Sequence, residues 1–213
     1  LICNAGIMAL PELSVKDGLE MQFLTNHMGH FLLVYLLQEQ LKNTQGRIVM
    51  LSSEGYRGTV NGGIDFSNLD GSKGYSPWKF YGQSKLANLL TARAFDQRLK
   101  ADGVRANAVH PGVINTNLAR DLGGVIGFIL GSKPSQYLIE KTLGKSIPQG
   151  ASTECYVAVH PDTEGKGGLY FSDNAEAKTA DYANNMELAN KLWDYSLQYL
   201  SNYIGAKDLQ PTA

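Results

Sequence analysis

The chain has 213 residues, 43% hydrophobic and 18% charged, with a formal net charge of -1. That length allows one domain with a sizeable core. The composition excludes a disordered chain, and the charge gives no reason to expect nucleic acid or an anionic membrane as partner. No apolar run is long enough to span a bilayer. Two cysteines, Cys3 and Cys155, form no CxxC and no disulfide framework, and they read as reduced, mostly buried thiols.

Residues 1–4 read as a short buried strand stopped at Ala5-Gly6. Residues 15–41 carry Leu19, Phe23, Met28, Phe31, Leu32, Tyr35, Leu36 and Leu41 at helical spacing, which predicts one long helix. RIVML at 47–51 is too short for a helix and fits a strand covered on both faces. Residues 54–77 are rich in Gly, Ser, Asn and Asp and read as a loop. A second long helix is expected over 81–101, then a strand over 104–110 stopped by Pro111-Gly112. The glycine-punctuated stretch 123–148 suits a mobile lid. A helix over 149–159, a strand over 168–172 and a helix over 186–204 complete the chain.

Short apolar strands alternating with long helices predict an α/β fold, a doubly wound parallel sheet in one domain. In such sheets ligands bind beyond the carboxyl ends of the strands. The polar punctuation falls there: Asn4-Ala5-Gly6, Ser52-Ser53 and Pro111-Gly112.

A tyrosine precedes a lysine by four residues at Tyr75/Lys79, Tyr81/Lys85, Tyr137/Lys141 and Tyr203/Lys207. With 11 tyrosines in the chain, bare spacing is a weak signal. Pro77 separates Tyr75 from Lys79, and proline is poorly tolerated inside a helix. Glu140 offers Lys141 an ion partner, and Gly205 ends the helix that holds Tyr203. YGQSK, Tyr81 to Lys85, opens a strong helix between two strands with polar ends. There the ammonium of Lys85, one turn away, can lower the pKa of Tyr81 and fit it for proton transfer to or from an oxygen.

CNAG (3–6), TNHMGHFLL (25–33), RIVMLSS (47–53), YGQSKLAN (81–88) and HPGVINT (110–116) follow one another in that order. So arranged, they resemble the short-chain dehydrogenase/reductase superfamily, in particular its retinol-dehydrogenase-like and WW-domain-oxidoreductase-like group. QGA (149–151) and GLYFSD (168–173) resemble the same group. The resemblance implies a Rossmann-like sheet and an NAD(P)-dependent oxidoreductase that interconverts an alcohol and a carbonyl. It implies Asn26, Ser53, Tyr81 and Lys85 as catalytic residues: Tyr81 moves the proton, Ser53 orients the substrate oxygen, and Asn26 holds a relay water. Lys85 also binds the nicotinamide ribose. Asn4 and Gly6 would line the cofactor near its adenosine side, and Pro111, Gly112, Val113 and Thr116 would meet its other end.

By family order residues 1–4 are the fourth strand, so the domain is expected to be N-terminally incomplete. No glycine-rich strand-turn-helix fingerprint is present to hold a pyrophosphate. The expected consequences are a bare apolar edge at the first strand and an inactive isolated chain. The residue that separates NAD from NADP is missing, and the family group leans towards NADP. A lid over 113–148, with Leu118, Leu122, Val125, Ile126, Phe128, Ile129 and Leu130, suits an apolar substrate such as a retinoid, steroid or lipid aldehyde. A homodimer through the long helices and a place in the cytosol, or on a membrane facing it, complete the expectation.

Plainer readings stand beside these. His27 and His30 lack a third ligand and fit core packing better than a metal site. His110 is expected to satisfy local backbone. Of the two serines, Ser52 is the better candidate for a turn or cap. Asp65 and Asp70 read as turn residues, and Thr116 as a helix cap as well. A non-enzymatic interaction module or degenerate remnant is the rival function. A serine hydrolase is a distant third, because Ser53 lacks a G-x-S-x-G elbow.

Overall fold

The computed structural model describes residues 1–114 and 145–204. Its strands are β1 (Ile2–Cys3), β2 (Val15–Lys16), β3 (Leu19–Glu20), β4 (Arg47–Leu51), β5 (Arg105–His110), β6 (Tyr170–Ser172) and β7 (Ala175–Glu176). Its helices are α1 (Met21–Phe23), α2 (Gly29–Leu36), α3 (Gln38–Asn43), α4 (Pro77–Leu99), α5 (Ile147–Val159) and α6 (Met186–Leu200).

The main sheet has the order β1-β4-β5-β6-β7. Its first four strands are parallel, and β7 returns antiparallel to β6. Side chains alternate across a pleated strand. Ile48 and Met50 of β4 therefore face one way, into a large cluster with Phe31 and Phe95. Val49 faces the other way, with Val109, Phe171 and Val157 of α5. Both faces are covered, as the unbroken apolar run RIVML demands. β1 pairs with β4 alone, and Ile2 is 41% exposed. The antiparallel β7 has no signal in the apolar pattern; both its residues are exposed.

α4 begins four residues earlier than expected, because Pro77 sits in its first turn, where a missing N–H costs nothing. Tyr75 thus lies outside the helix that holds Lys79. Every residue from 80 to 92 is buried. α6 covers the outer side, with Trp193 edge-on to Phe95 at 4.8 Å and the Arg98 guanidinium 4.1 Å from the Trp193 ring.

The expected helix over 15–41 is broken into pieces. Asp17-Gly18, both left-handed (φ 54° and 80°), turn a two-residue hairpin between β2 and β3. The Glu20 carboxylate then caps α1, accepting the N–H groups of Gln22 and Phe23 at 3.0 Å. Leu24–Met28 widens into a π turn before α2, and Leu37 leaves helical geometry before α3. The apolar spacing survives all these breaks, which is why it reads as one helix.

His27 is fully buried, with Nε2 3.1 Å from the Ser196 hydroxyl. Among the described residues no group of three His, Cys, Asp or Glu could hold a metal. Burial is the main force pushing the His27 imidazole down, to about 3. The unfolded chain therefore binds a proton near pH 6.5 that the folded chain refuses. Stability should fall steadily as pH drops from 6.5 towards 3, and His27→Gln should flatten that slope in denaturant titrations. Cys3 is buried but Cys155 is exposed, correcting the expectation for the second thiol. Among the described residues no helix is long and apolar enough to cross a membrane.

Candidate active site

Three elements meet at the carboxyl ends of β4 and β5. β4 delivers Ser52 and Ser53, α4 delivers Tyr81, Ser84 and Lys85, and the π turn delivers Asn26. The Leu51 carbonyl joins the first two elements, accepting from Asn88 Nδ2 at 2.8 Å and from Lys85 Nζ at 3.3 Å. The Ser52 hydroxyl donates to the Lys85 carbonyl at 2.8 Å. Ser52 is thus a strap between strand and helix. Ser53 is the cap: its Oγ accepts the Gly55 N–H at 3.1 Å and opens the turn Glu54–Gly58.

Tyr81 is 4% exposed and lies beside Ser53: a Cβ on Gly55 would stand 2.8 Å from Tyr81 Cε1 and 3.3 Å from Ser53 Oγ. Burial pushes its phenol above the usual value, and the neighbouring Ser53 side chain pulls it back. The Lys85 ammonium stands 5.6 Å from the Tyr81 ring centre. Here the expectation needs correcting. Burial, not the lysine charge, dominates the tyrosine, and burial also brings Lys85 down to about 8, opposed by Glu154.

Asn26 is fully buried and its carboxamide is heavily committed. Oδ1 accepts the Ile7 N–H at 2.8 Å, and Nδ2 donates to the Ile7 carbonyl and to Ser84 Oγ, both at 2.9 Å. Ser84 in turn donates to the Tyr81 carbonyl at 2.8 Å. Both donors of the amide are therefore used within the protein. His30, beneath this layer, is held neutral first by burial and then by the Lys85 charge.

Gly6 belongs to the same layer. A Cβ there would stand 3.0 Å from Asn26 Oδ1 and 3.5 Å from Lys85 Nζ, so this glycine leaves space beside both side chains. Asn4 is exposed at the end of β1. Pro111 and Gly112 follow β5, with Gly112 at φ 90° against the Lys145 stem, and Val113 is 56% exposed. Thr116, Tyr137, Lys141, Lys207 and nearly all of the expected lid lie outside the described residues. His110 Nδ1 is buried without a partner among the described residues, contrary to its expected backbone role. Asp65 and Asp70 do close turns, each accepting from the serine two residues on.

Two further residues flank Tyr81 outside the motifs. Trp78 is 44% exposed and stands edge-on to Tyr81, ring centres 6.3 Å apart. Its spacing, three residues before Tyr81 on a helix, could have drawn attention to it. Gly55 touches the tyrosine from the other side, since a Cβ there would lie 2.8 Å from Tyr81 Cε1.

A parallel α/β sheet that sets a Tyr–Lys pair on a helix beside a serine at the neighbouring strand end is the arrangement the five motifs led us to expect. The family model for short chain dehydrogenase matches residues 1–124, and the chain belongs to that family. It is 44% identical over 210 residues to short-chain dehydrogenase TIC 32 B, chloroplastic, of Brassica napus, covering 95% of this chain and 63% of that protein. It is 41% identical over 197 residues to human retinol dehydrogenase 14, covering 92% and 56%. The chain thus spans about three fifths of the length of these curated relatives. Among solved structures, a protein from Mycobacterium paratuberculosis superposes with TM-score 0.63 at 31% identity, over 94% of this chain and 66% of that one. The NADPH-bound carbonyl reductase from chicken fatty liver shares the fold, with TM-score 0.56 at 18% identity, over 84% and 65%.

Proposed function

We propose that the full-length protein is an NAD(P)-dependent oxidoreductase that interconverts an alcohol and a carbonyl on an apolar substrate. The observation that carries this reading is the buried Tyr81 ring, with Ser53 across Gly55 from it and the Lys85 ammonium 5.6 Å from its centre. Tyr81 donates its proton to the carbonyl oxygen in reduction and takes it back in oxidation. Ser53 Oγ accepts from Gly55, and its single O–H turns from Tyr81 to the substrate oxygen when that oxygen is bound.

The residues present fit the nicotinamide end of a dinucleotide. Lys85 Nζ donates to one backbone carbonyl, and two of its protons remain for ribose hydroxyls. Gly6 keeps the space beside them free of a side chain. A bound nicotinamide would supply or accept the hydride. NADP is favoured over NAD by analogy with the family group. The described residues furnish this reacting end alone, so we hold that the isolated 213-residue chain is inactive.

The apolar character of the substrate rests on Trp78, a large exposed ring at the approach to Tyr81, with Val113 exposed at the end of β5. Full-length protein should oxidise NADPH in the presence of a long-chain aldehyde or retinal. Trp78→Ala should raise KM for that substrate by about 10-fold or more, the worth of one buried aromatic contact, and leave KM for a two-carbon aldehyde unchanged. Equal effects on both substrates would remove Trp78 from the substrate's path. Absence of NADPH turnover with any alcohol or carbonyl would favour the rival reading, an interaction module.

A further inference from the structure

We infer that Glu54 and Tyr170 are a positioning pair that holds Ser53 against Tyr81, although neither touches the reacting atoms. The inference rests on the reading of Ser53 and Tyr81 as the reacting pair. The turn Glu54–Gly58 starts at the residue after Ser53 and is only five residues long. On its inner side it is seated on α4 by close backbone contact. A Cβ at Gly82 would lie 2.8 Å from the Thr59 nitrogen and 3.0 Å from the Gly55 oxygen. That contact stops the turn from moving inward. It does nothing to stop the turn from lifting away.

The outer side is fastened by side chains. Tyr170, on β6 and 1% exposed, donates its hydroxyl to Glu54 Oε1 at 2.9 Å. Arg57 Nε donates to the other carboxylate oxygen at 2.6 Å, and Arg57 also reaches the Lys178 carbonyl at 3.0 Å. Tyr56, fully buried, packs edge-on against Tyr170 at 5.8 Å and accepts the Ala180 N–H at 2.9 Å. Phenylalanine would fill the Tyr170 site equally well. What the hydroxyl adds is a charge-assisted bond to the carboxylate that begins the turn. Removing it frees the residue adjacent to Ser53, and the Ser53–Tyr81 contact depends on sub-ångström placement.

The test is made on full-length protein with Tyr170→Phe, and with Glu54→Gln as the conservative variant, which keeps an acceptor for Tyr170. Tyr170→Phe should lower kcat about 10-fold with KM for the cofactor unchanged. It should also move the ionisation of Tyr81, read by NMR of 13Cζ-labelled tyrosine and assigned with Tyr81→Phe, to higher pH, because a displaced Ser53 no longer supports the phenolate. Glu54→Gln should keep most of the activity. The other titratable groups about Tyr81 are unaltered by these changes: Lys85 on its own helix, Glu154 of α5, whose charge acts on Lys85, and His30 of α2, which Lys85 pushes down. A lowered melting temperature with kcat and the Tyr81 ionisation both unmoved would make the pair structural only and overturn the inference. Should Tyr170→Phe fail to fold, Glu54→Ala carries the same readouts. If wild-type protein shows no turnover while the Tyr81 ionisation still shifts, the positioning stands and the catalytic reading falls.

Discussion

Tyr81→Phe in the full-length protein removes one oxygen and, on the proposed function, should lower kcat by about 10²–10⁴-fold, the worth of a positioned general acid. Cofactor affinity stays unchanged, because the ring remains packed and Lys85 keeps its bond to the Leu51 carbonyl. The reason for so large an effect is the burial of the site. At 4% exposure, little water can reach the phenol to replace the lost proton donor. The measurement is single-turnover NADPH oxidation with saturating aldehyde, backed by a melting curve. Near wild-type turnover would exclude Tyr81 as the proton donor. The same burial sets the pH response. With Tyr81 pushed up and Lys85 pushed down to about 8, the protonated tyrosine needed for reduction persists through neutral pH, whereas alcohol oxidation should rise with pH.

Asn26→Leu is expected to be costly for a different reason. The change strands the N–H and C=O of Ile7 and the hydroxyl oxygen of Ser84, all bonded to the amide in the native state. A buried group left unmet costs about 1–3 kcal/mol; Ile7 is only half-buried and water can reach it, so the loss should be about that size and visible in a denaturant midpoint. Asn26→Asp keeps the acceptor for Ile7 but loses both donors, and should fall between. Full stability with lost activity in Asn26→Leu would mean that the amide serves the reaction and not the layer beneath it.

β4 was legible because a strand covered on both faces needs apolar side chains on each, as Ile48 and Met50 supply on one and Val49 on the other. The fragmentation of residues 15–43 was hidden for a related reason. Leu19, Phe23, Met28 and Phe31 point into one core whether they sit on a hairpin, a π turn or a helix. The Asp17-Gly18 pair was the local signal of the break. At the site, the motifs located Tyr81, Lys85 and Ser53, since these carry chemistry at fixed spacing. Trp78, Glu54 and Tyr170 had to wait for the structure. Their partners are set by how α4 and β6 fold back against the turn after β4, a juxtaposition of residues 116 apart for Glu54 and Tyr170.

α4 is enclosed from residue 80 to residue 92 by the sheet, the π turn, the Glu54–Gly58 turn and α6. Amide protons in such a segment exchange with solvent only when the whole molecule opens. Tyr81 and Lys85 therefore belong to the last unit of the protein to come apart. Heat or denaturant should therefore not loosen the Tyr–Lys pair ahead of the fold: at this helix, loss of the site and global unfolding are expected to coincide.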